Sequence, residues 1–219
     1  MPPSTITARS SAEREAIGAK SAMSVREHAL QQLQALGAGD FVHVNGSLVL
    51  HLRGTEALLR RWGNRDALCL AGLYHAVYGT DRIAGFLANL GMREAIADVI
   101  GAEAEGLAYL YGACAGETFH PKIGTPDQLT FADRFTDSEY PITELQLRDV
   151  CEMTVANELD LALGNARFSS KHREELLRLF ERMRGLASEA ALDAARETLR
   201  PMTCDVPAMR APTVRKRQE

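Results

Sequence analysis

The chain has 219 residues, 46% of them hydrophobic, which is enough to bury a sizeable core and excludes a disordered or fibrous protein. Its 25 basic and 29 acidic side chains are interspersed at a net charge of −4, and the one basic run, Arg215-Lys216-Arg217, follows two prolines at the C-terminus, so no nucleic-acid partner is expected. The first twenty residues hold no apolar leader segment and no stretch approaches eighteen apolar residues, so a cytoplasmic protein with no membrane partner is expected.

Four cysteines, Cys69, Cys114, Cys151 and Cys204, lie far apart without metal spacing, and are read as reduced, structural thiols. Residues 1–23 are read as a flexible N-terminal segment, 24–200 as one helical domain and 201–219 as a flexible tail. From Ser24 the segment VREHALQQLQAL has the spacing of an amphipathic helix stopped by Gly37. After the turn GAGDFVHVNG, Ser47 is placed to cap a helix reaching Gly63, with Leu48, His51, Thr55, Leu58 and Trp62 near one face. The next pattern, 66–78, is apolar nearly all round, which predicts the central helix of a bundle. Shorter helical patterns follow at 81–90, 92–100 and 102–114, punctuated by Gly91 and Gly101. Helical periodicity is lost from Gly116 to Pro141, where LTFADRF and EYPIT predict a small β-hairpin or irregular excursion near 118–142. Thr143 and Gln146 form a capping box for a long helix ending near Gly164, and two further helices close the domain before Pro201. The expected class is therefore all-α.

His51 and His75 sit on consecutive helices joined by a short turn, so an antiparallel pair can bring both rings to one level, where neutral imidazoles can ligate a metal. Two histidines with satisfied ring nitrogens in a helical core give the same pattern.

The segment HLRGTEALLRRWGNRDALCLAGLYHA resembles the signature of the HD-domain superfamily of metal-dependent phosphohydrolases. The stretch after HAVYGTD is similar to the corresponding region of stringent-response alarmone hydrolases, and VANELD resembles the late helix that brings the family's last metal carboxylate. The likeness spans roughly residues 40–165 and implies an HD-like helical bundle. HLRGT, WG and AGLYHAVYGT also resemble a narrower group of small bacterial and fungal proteins that carry a domain of unknown function.

Departures bear on the chemistry. Ala76 stands where the His-Asp pair has its aspartate, Asn157 takes the late aspartate position, and Gly79-Thr80 replace the Glu-Asp pair of the alarmone hydrolases, with Asp81 one place late. Alanine can neither orient a cation nor help it acidify water, so alarmone hydrolysis by the usual route is not expected. On the resemblance, the metal candidates are His51, His75, His43, Asn157 and Asp160, with Glu158 beside them, a nitrogen-oxygen set suited to Zn, Fe or Mn. His43 either swings in from the preceding loop or stays exposed. Asn157 and Asp160 share a helix face, with Glu158 about 100° away; Asp160 alternatively pairs with Arg167 or Lys171.

Tyr78, Thr80, Asp81 and Arg134 complete the candidate catalytic set. Tyr78-Gly79-Thr80 either line a pocket or merely end a helix. Asp133 and Arg134 either form a lid with a guanidinium for an anion or a surface ion pair. His120 precedes a proline and reads as a turn residue, while His28 and His172 read as solvated. The resemblance implies a metal-dependent hydrolase for a small phosphorylated or anionic substrate. The alternatives are an iron-dependent oxygenase of the same type, and a degenerate domain that binds a ligand or partner without turnover. A homo-oligomer stays open.

Overall fold

The fold is described from a computed structural model covering residues 23–43, 46–82 and 85–200, with the side chains of Val42 and His43 outside the described set. The first helix among the described residues, α1 (Val25–Ala35), opens on a reciprocal cap: Ser24 Oγ accepts the Glu27 amide while the Glu27 carboxylate accepts the Ser24 amide. It buries Ala29 and Leu33, one turn apart. A two-residue antiparallel ladder, β1 (Val42–His43) with β2 (Gly46–Ser47), leads into α2 (Leu48–Arg61). Ser47 holds the N-cap position without a side-chain hydrogen bond. Glu56, fully buried on α2, accepts from Arg26 at 2.7 and 2.8 Å and from Arg60 at 2.9 Å, which ties α1 to α2.

The third helix, α3 (Asp66–Tyr74), buries every residue from Leu68 to Tyr74, as an apolar girdle requires, and packs between α2 and the later helices. It is a turn shorter than the 66–78 expected. The Val77 amide bonds the Tyr74 carbonyl and the Gly79 amide bonds the Ala76 carbonyl, tightening the chain into turns that leave His75 as the C-cap. Gly79 has φ +78°, and a Cβ there would stand 2.5 Å from the Gly85 carbonyl oxygen, so the exit from this helix needs glycine. The helix expected over 81–90 is absent from the described residues of that range. Leu87 and Ala88 give their amides to the Val77 carbonyl instead, and Asn89 caps a single 3-10 turn, Leu90–Met92.

Two helices follow, α4 (Arg93–Ile100) and α5 (Ala102–Ala113), split by Gly101 at φ +87°. A one-turn α6 (Gly116–Phe119) precedes the expected hairpin, β3 (Thr130–Asp133) and β4 (Ser138–Pro141), with Phe131 opposite Tyr140. Asp133 is buried and fixes the hairpin turn by accepting the Phe135 and Thr136 amides, while Tyr109 and Tyr140 donate to its other oxygen.

The spine is α7 (Glu144–Gly164), capped by the Thr143–Gln146 box and about 30 Å long at 1.5 Å per residue. It packs on α2, α3 and α5, and on α8 (Ala166–Arg182) and α9 (Glu189–Thr198) that close the chain. The protein is thus mostly α-helical with a small β excursion, and no described helix is long and apolar enough to cross a membrane. Cys69, Cys114 and Cys151 are buried, and burial raises all three thiols, Cys69 to about 11 and Cys151 to about 12, so they stay protonated. Cys204 lies outside the described residues.

A buried carboxylate docks the last helix. Glu152 accepts the Ser188 amide at 2.7 Å, the Ser188 hydroxyl at 2.8 Å and the Asn64 side-chain amide at 2.9 Å. Glu152→Ala strands all three donors and is expected to cost about 3 kcal/mol in urea unfolding. A change below about 0.5 kcal/mol would mean that α9 docks without this carboxylate.

Candidate functional site

His51 lies in the second turn of α2 with 2% of its surface exposed. Its Nδ1 is 2.6 Å from Asp160 Oδ2 and its Nε2 is 2.9 Å from Asn157 Oδ1, so both ring nitrogens bond side chains of α7. Because Asp160 accepts, Nδ1 carries a proton in this pair, and Nε2 bonds Asn157 either by donating a second ring proton to Oδ1 or by accepting from the amide nitrogen of a reversed Asn157 side chain. Three residues separate Asn157 from Asp160, one turn of helix, which lets both reach one imidazole.

The approach depends on Gly54. A Cβ there would sit 1.7 Å from Asp160 Oδ1 and 2.6 Å from its Cγ, so the glycine of HLRGT leaves the space that the carboxylate fills. His75 stands edge-on to His51, with ring centroids 5.0 Å apart, and edge-on to Tyr111 at 5.5 Å. Its Nδ1 bonds the Gly72 carbonyl at 2.8 Å.

Beyond His75 lies a cavity of about 170 Å³. One wall comes from the exit of α3 and from α5: His75, Thr80, Asp81, Arg82, Tyr111 and Cys114. The facing wall comes from α7 and the start of α8: Thr154, Asn157, Glu158, Leu161 and Phe168. Gly116 and His120 form its rim, where Asp81 Oδ2 accepts the Gly116 amide at 2.7 Å.

Glu158 is the exceptional group. It is 4% exposed, its Oε1 accepts from Arg82 at 3.2 Å and from the Asn157 side-chain amide at 3.4 Å, and its buried Oε2 has no hydrogen-bond partner among the described residues. Burial pushes its carboxyl above the usual carboxylate range, with Arg82 pulling the other way. Burial lowers the His120 imidazole, helped by Arg82, and raises the Tyr111 phenol, so near pH 7 the first is neutral and the second protonated.

The candidates from the sequence divide on this geometry. His51, His75, Asn157 and Asp160 come together, and Asp160 pairs with His51 rather than with Arg167 or Lys171. Thr80 and Asp81 line the cavity. Tyr78 does not: it is buried against α5 and donates to Glu105 at 2.9 Å, in a cluster where Arg93 also clamps Glu105. Arg134 does not either; its Nε bonds the Gly112 carbonyl and its guanidinium lies over Phe135. Each was placed near a site by chain position, and each is drawn off by a nearer partner. The His43 side chain lies outside the described residues.

The sequence does not single out Arg82, Tyr111, Thr154 and Phe168; His120, read as a turn residue, does open the 3-10 turn His120–Lys122 and in addition lines the cavity. One signal was present: Thr154, Glu158 and Leu161 recur at i, i+4 and i+7, a face that puts an acid inside an apolar stripe.

The donors fit a metal poorly. Both nitrogens of His51 are engaged, one nitrogen of His75 bonds a backbone carbonyl, and no group of three or more His, Cys, Asp or Glu side chains among the described residues could hold a metal ion.

Residues 32–115, less than half of the chain, match the model of a domain of unknown function, DUF6817. The match spans HLRGT, WG and AGLYHAVYGT, and with them one wall of the cavity, but not α7. No curated protein and no solved structure matches the chain.

Gly54→Ala is expected to destabilise by about 2 kcal/mol or more, because Asp160 must leave His51. In an Asp160→Ala background the same change should stabilise by up to about 1 kcal/mol, since alanine is the better helix former. A double-mutant cycle by denaturant unfolding reads the difference, and additive effects would refute the contact.

A second expectation concerns pH. With its folded pKa raised, Glu158 adds stability while protonated and loses that contribution as pH climbs from the unfolded value through the folded one. Glu158→Gln should therefore match the wild type in thermal melts near pH 4 and exceed it increasingly towards pH 7. A gap that is constant or shrinks with pH would contradict the assignment.

Proposed function

We propose that this chain is a divergent HD-like helical domain that binds a small molecule in the cavity between α5 and α7 and works without a metal centre. The observation that carries this reading is the engagement of His51. The imidazole that the resemblance assigns to a metal is instead bonded through both nitrogens, to Asp160 and Asn157, and so joins α2 to α7. With Ala76 in place of aspartate, the position next to His75 carries no carboxylate to supply the charge that a hard cation needs.

The cavity supports ligand binding in its own right. It is concave, largely apolar and furnished with a few convergent polar groups, the usual make-up of small-molecule sites. A metal-dependent hydrolase or iron-dependent oxygenase would require His51 Nε2 to exchange Asn157 for the metal.

Elemental analysis of protein purified without chelator tests the reading. The expected result is Zn, Fe and Mn each well below one per chain. His51→Ala should lose about 3 kcal/mol of stability with or without added Zn²⁺ or Mn²⁺, because it strands Asp160 and Asn157. Stoichiometric metal that disappears in both His51→Ala and His75→Ala would overturn the metal-free reading and restore the metalloenzyme.

A further inference from the structure

Two hollows meet at Arg82. The inner one is the cavity of about 170 Å³; the outer one, of about 500 Å³, shares Asp81, Arg82, Gly116 and His120 with it and runs out beside Glu117 and Glu175. Among the described residues that line either hollow, four are carboxylates, Asp81, Glu117, Glu158 and Glu175, and Arg82 is the only arginine or lysine.

That arginine is already committed, because its Nη1 lies 3.2 Å from Glu158 Oε1. It is also movable, with 52% of its side chain exposed against 5% for Glu158. An anion entering here would meet four carboxylates and a guanidinium that must first abandon its partner. A cation would meet a complementary field that strengthens inwards, since a buried charge is screened far less than an exposed one.

At the inner end Glu158 Oε2 is buried with no donor among the described residues, although an ionised carboxylate accepts on both oxygens. The inner cavity, at about 170 Å³, matches the size of a void of about 150 Å³ known to take benzene. Tyr111, Leu161 and Phe168 give it apolar walls, and aromatic faces favour cations.

We infer that the cavity takes a small organic cation, a protonated primary amine or amidine on a frame of about one six-membered ring, whose N–H groups bond Glu158 Oε2. The inference rests on the metal-free ligand cavity proposed above. Arg82 acts as an internal stand-in for the ligand, holding Glu158 through one oxygen until the cation supplies donors to the other. The charge of the lining thereby runs against the anionic substrate that the resemblance implied.

Amide chemical-shift titrations of the full chain at pH 7 with benzylamine, benzyl alcohol and benzoate test it. Benzylamine should bind at least tenfold more tightly than benzyl alcohol, with shifts at Gly116 and Leu161, and benzoate should not bind. Glu158→Gln, which keeps the shape, should weaken benzylamine at least tenfold while its thermal melt shows a folded protein. Arg82→Gln should tighten benzylamine several-fold, a gain that a purely structural role for the ion pair would not produce. Tighter binding of benzoate or inorganic phosphate, lost in Arg82→Gln, would overturn the cation and leave the cavity reading intact. Absence of shifts with all three ring compounds would also overturn it. The cavity reading itself falls on the separate finding of stoichiometric metal.

Discussion

The bonds that hold His51 between Asp160 and Asn157 connect the second helix to the spine of the molecule, and the arrangement of the site follows from them. A buried imidazole with both nitrogens satisfied is inexpensive to keep in a core, whereas one with a stranded nitrogen is not. Satisfying both from α7 fixes the rotation of that helix to within a fraction of a turn. Gly54 sets how closely the two helices approach, because any side chain there would occupy the space of the Asp160 carboxylate. Once Asn157 and Asp160 face α2, the 100° per residue of an α-helix carries Glu158 round towards α5 and the cavity. The histidine pair and the ligand cavity are thus two consequences of one helix orientation.

The cavity concentrates electrostatic cost. Elsewhere in the fold buried carboxylates are well supplied with donors: Glu56 has two arginines, Glu152 has Ser188 and Asn64, and Asp149 takes a two-pronged contact from Arg65. Glu158 has two long contacts on one oxygen, from a half-exposed arginine and from the Asn157 side-chain amide, and a second oxygen without a donor among the described residues. A protein that satisfies its other buried acids so fully and leaves this one short has a local departure of the kind found where binding takes place.

Much of the fold was legible in the sequence. The capping boxes at Ser24 and Thr143, the all-round apolar α3, the Gly101 break and the hairpin flanking Thr136-Asp137-Ser138 all act through local chemistry, which sequence reading captures. The early end of α3 and the non-helical course of residues 85–89 were not legible, because a distant backbone decides them: Leu87 and Ala88 bond the Val77 carbonyl. The same distinction runs through the site. The pairing of His51 with the Asn157–Asp160 face follows from one-turn spacing, but the role of Glu158 depends on which helix packs on the neighbouring face. Tyr78 and Arg134 carried suitable chemistry in suggestive places, and only the positions of Glu105 and the Gly112 carbonyl show them to be structural.

The central claim is that His51 is a proton-bearing link between helices and not a metal ligand. Long-range ¹H–¹⁵N correlation spectra of the histidine side chains measure this directly. The account predicts a slowly exchanging His51 Nδ1–H, with ring ¹⁵N shifts that stay in place when one equivalent of Zn²⁺, Mn²⁺ or Fe²⁺ is added anaerobically to metal-free protein. Movement or paramagnetic loss of the His51 and His75 ring signals together, saturating at one metal per chain, would contradict it.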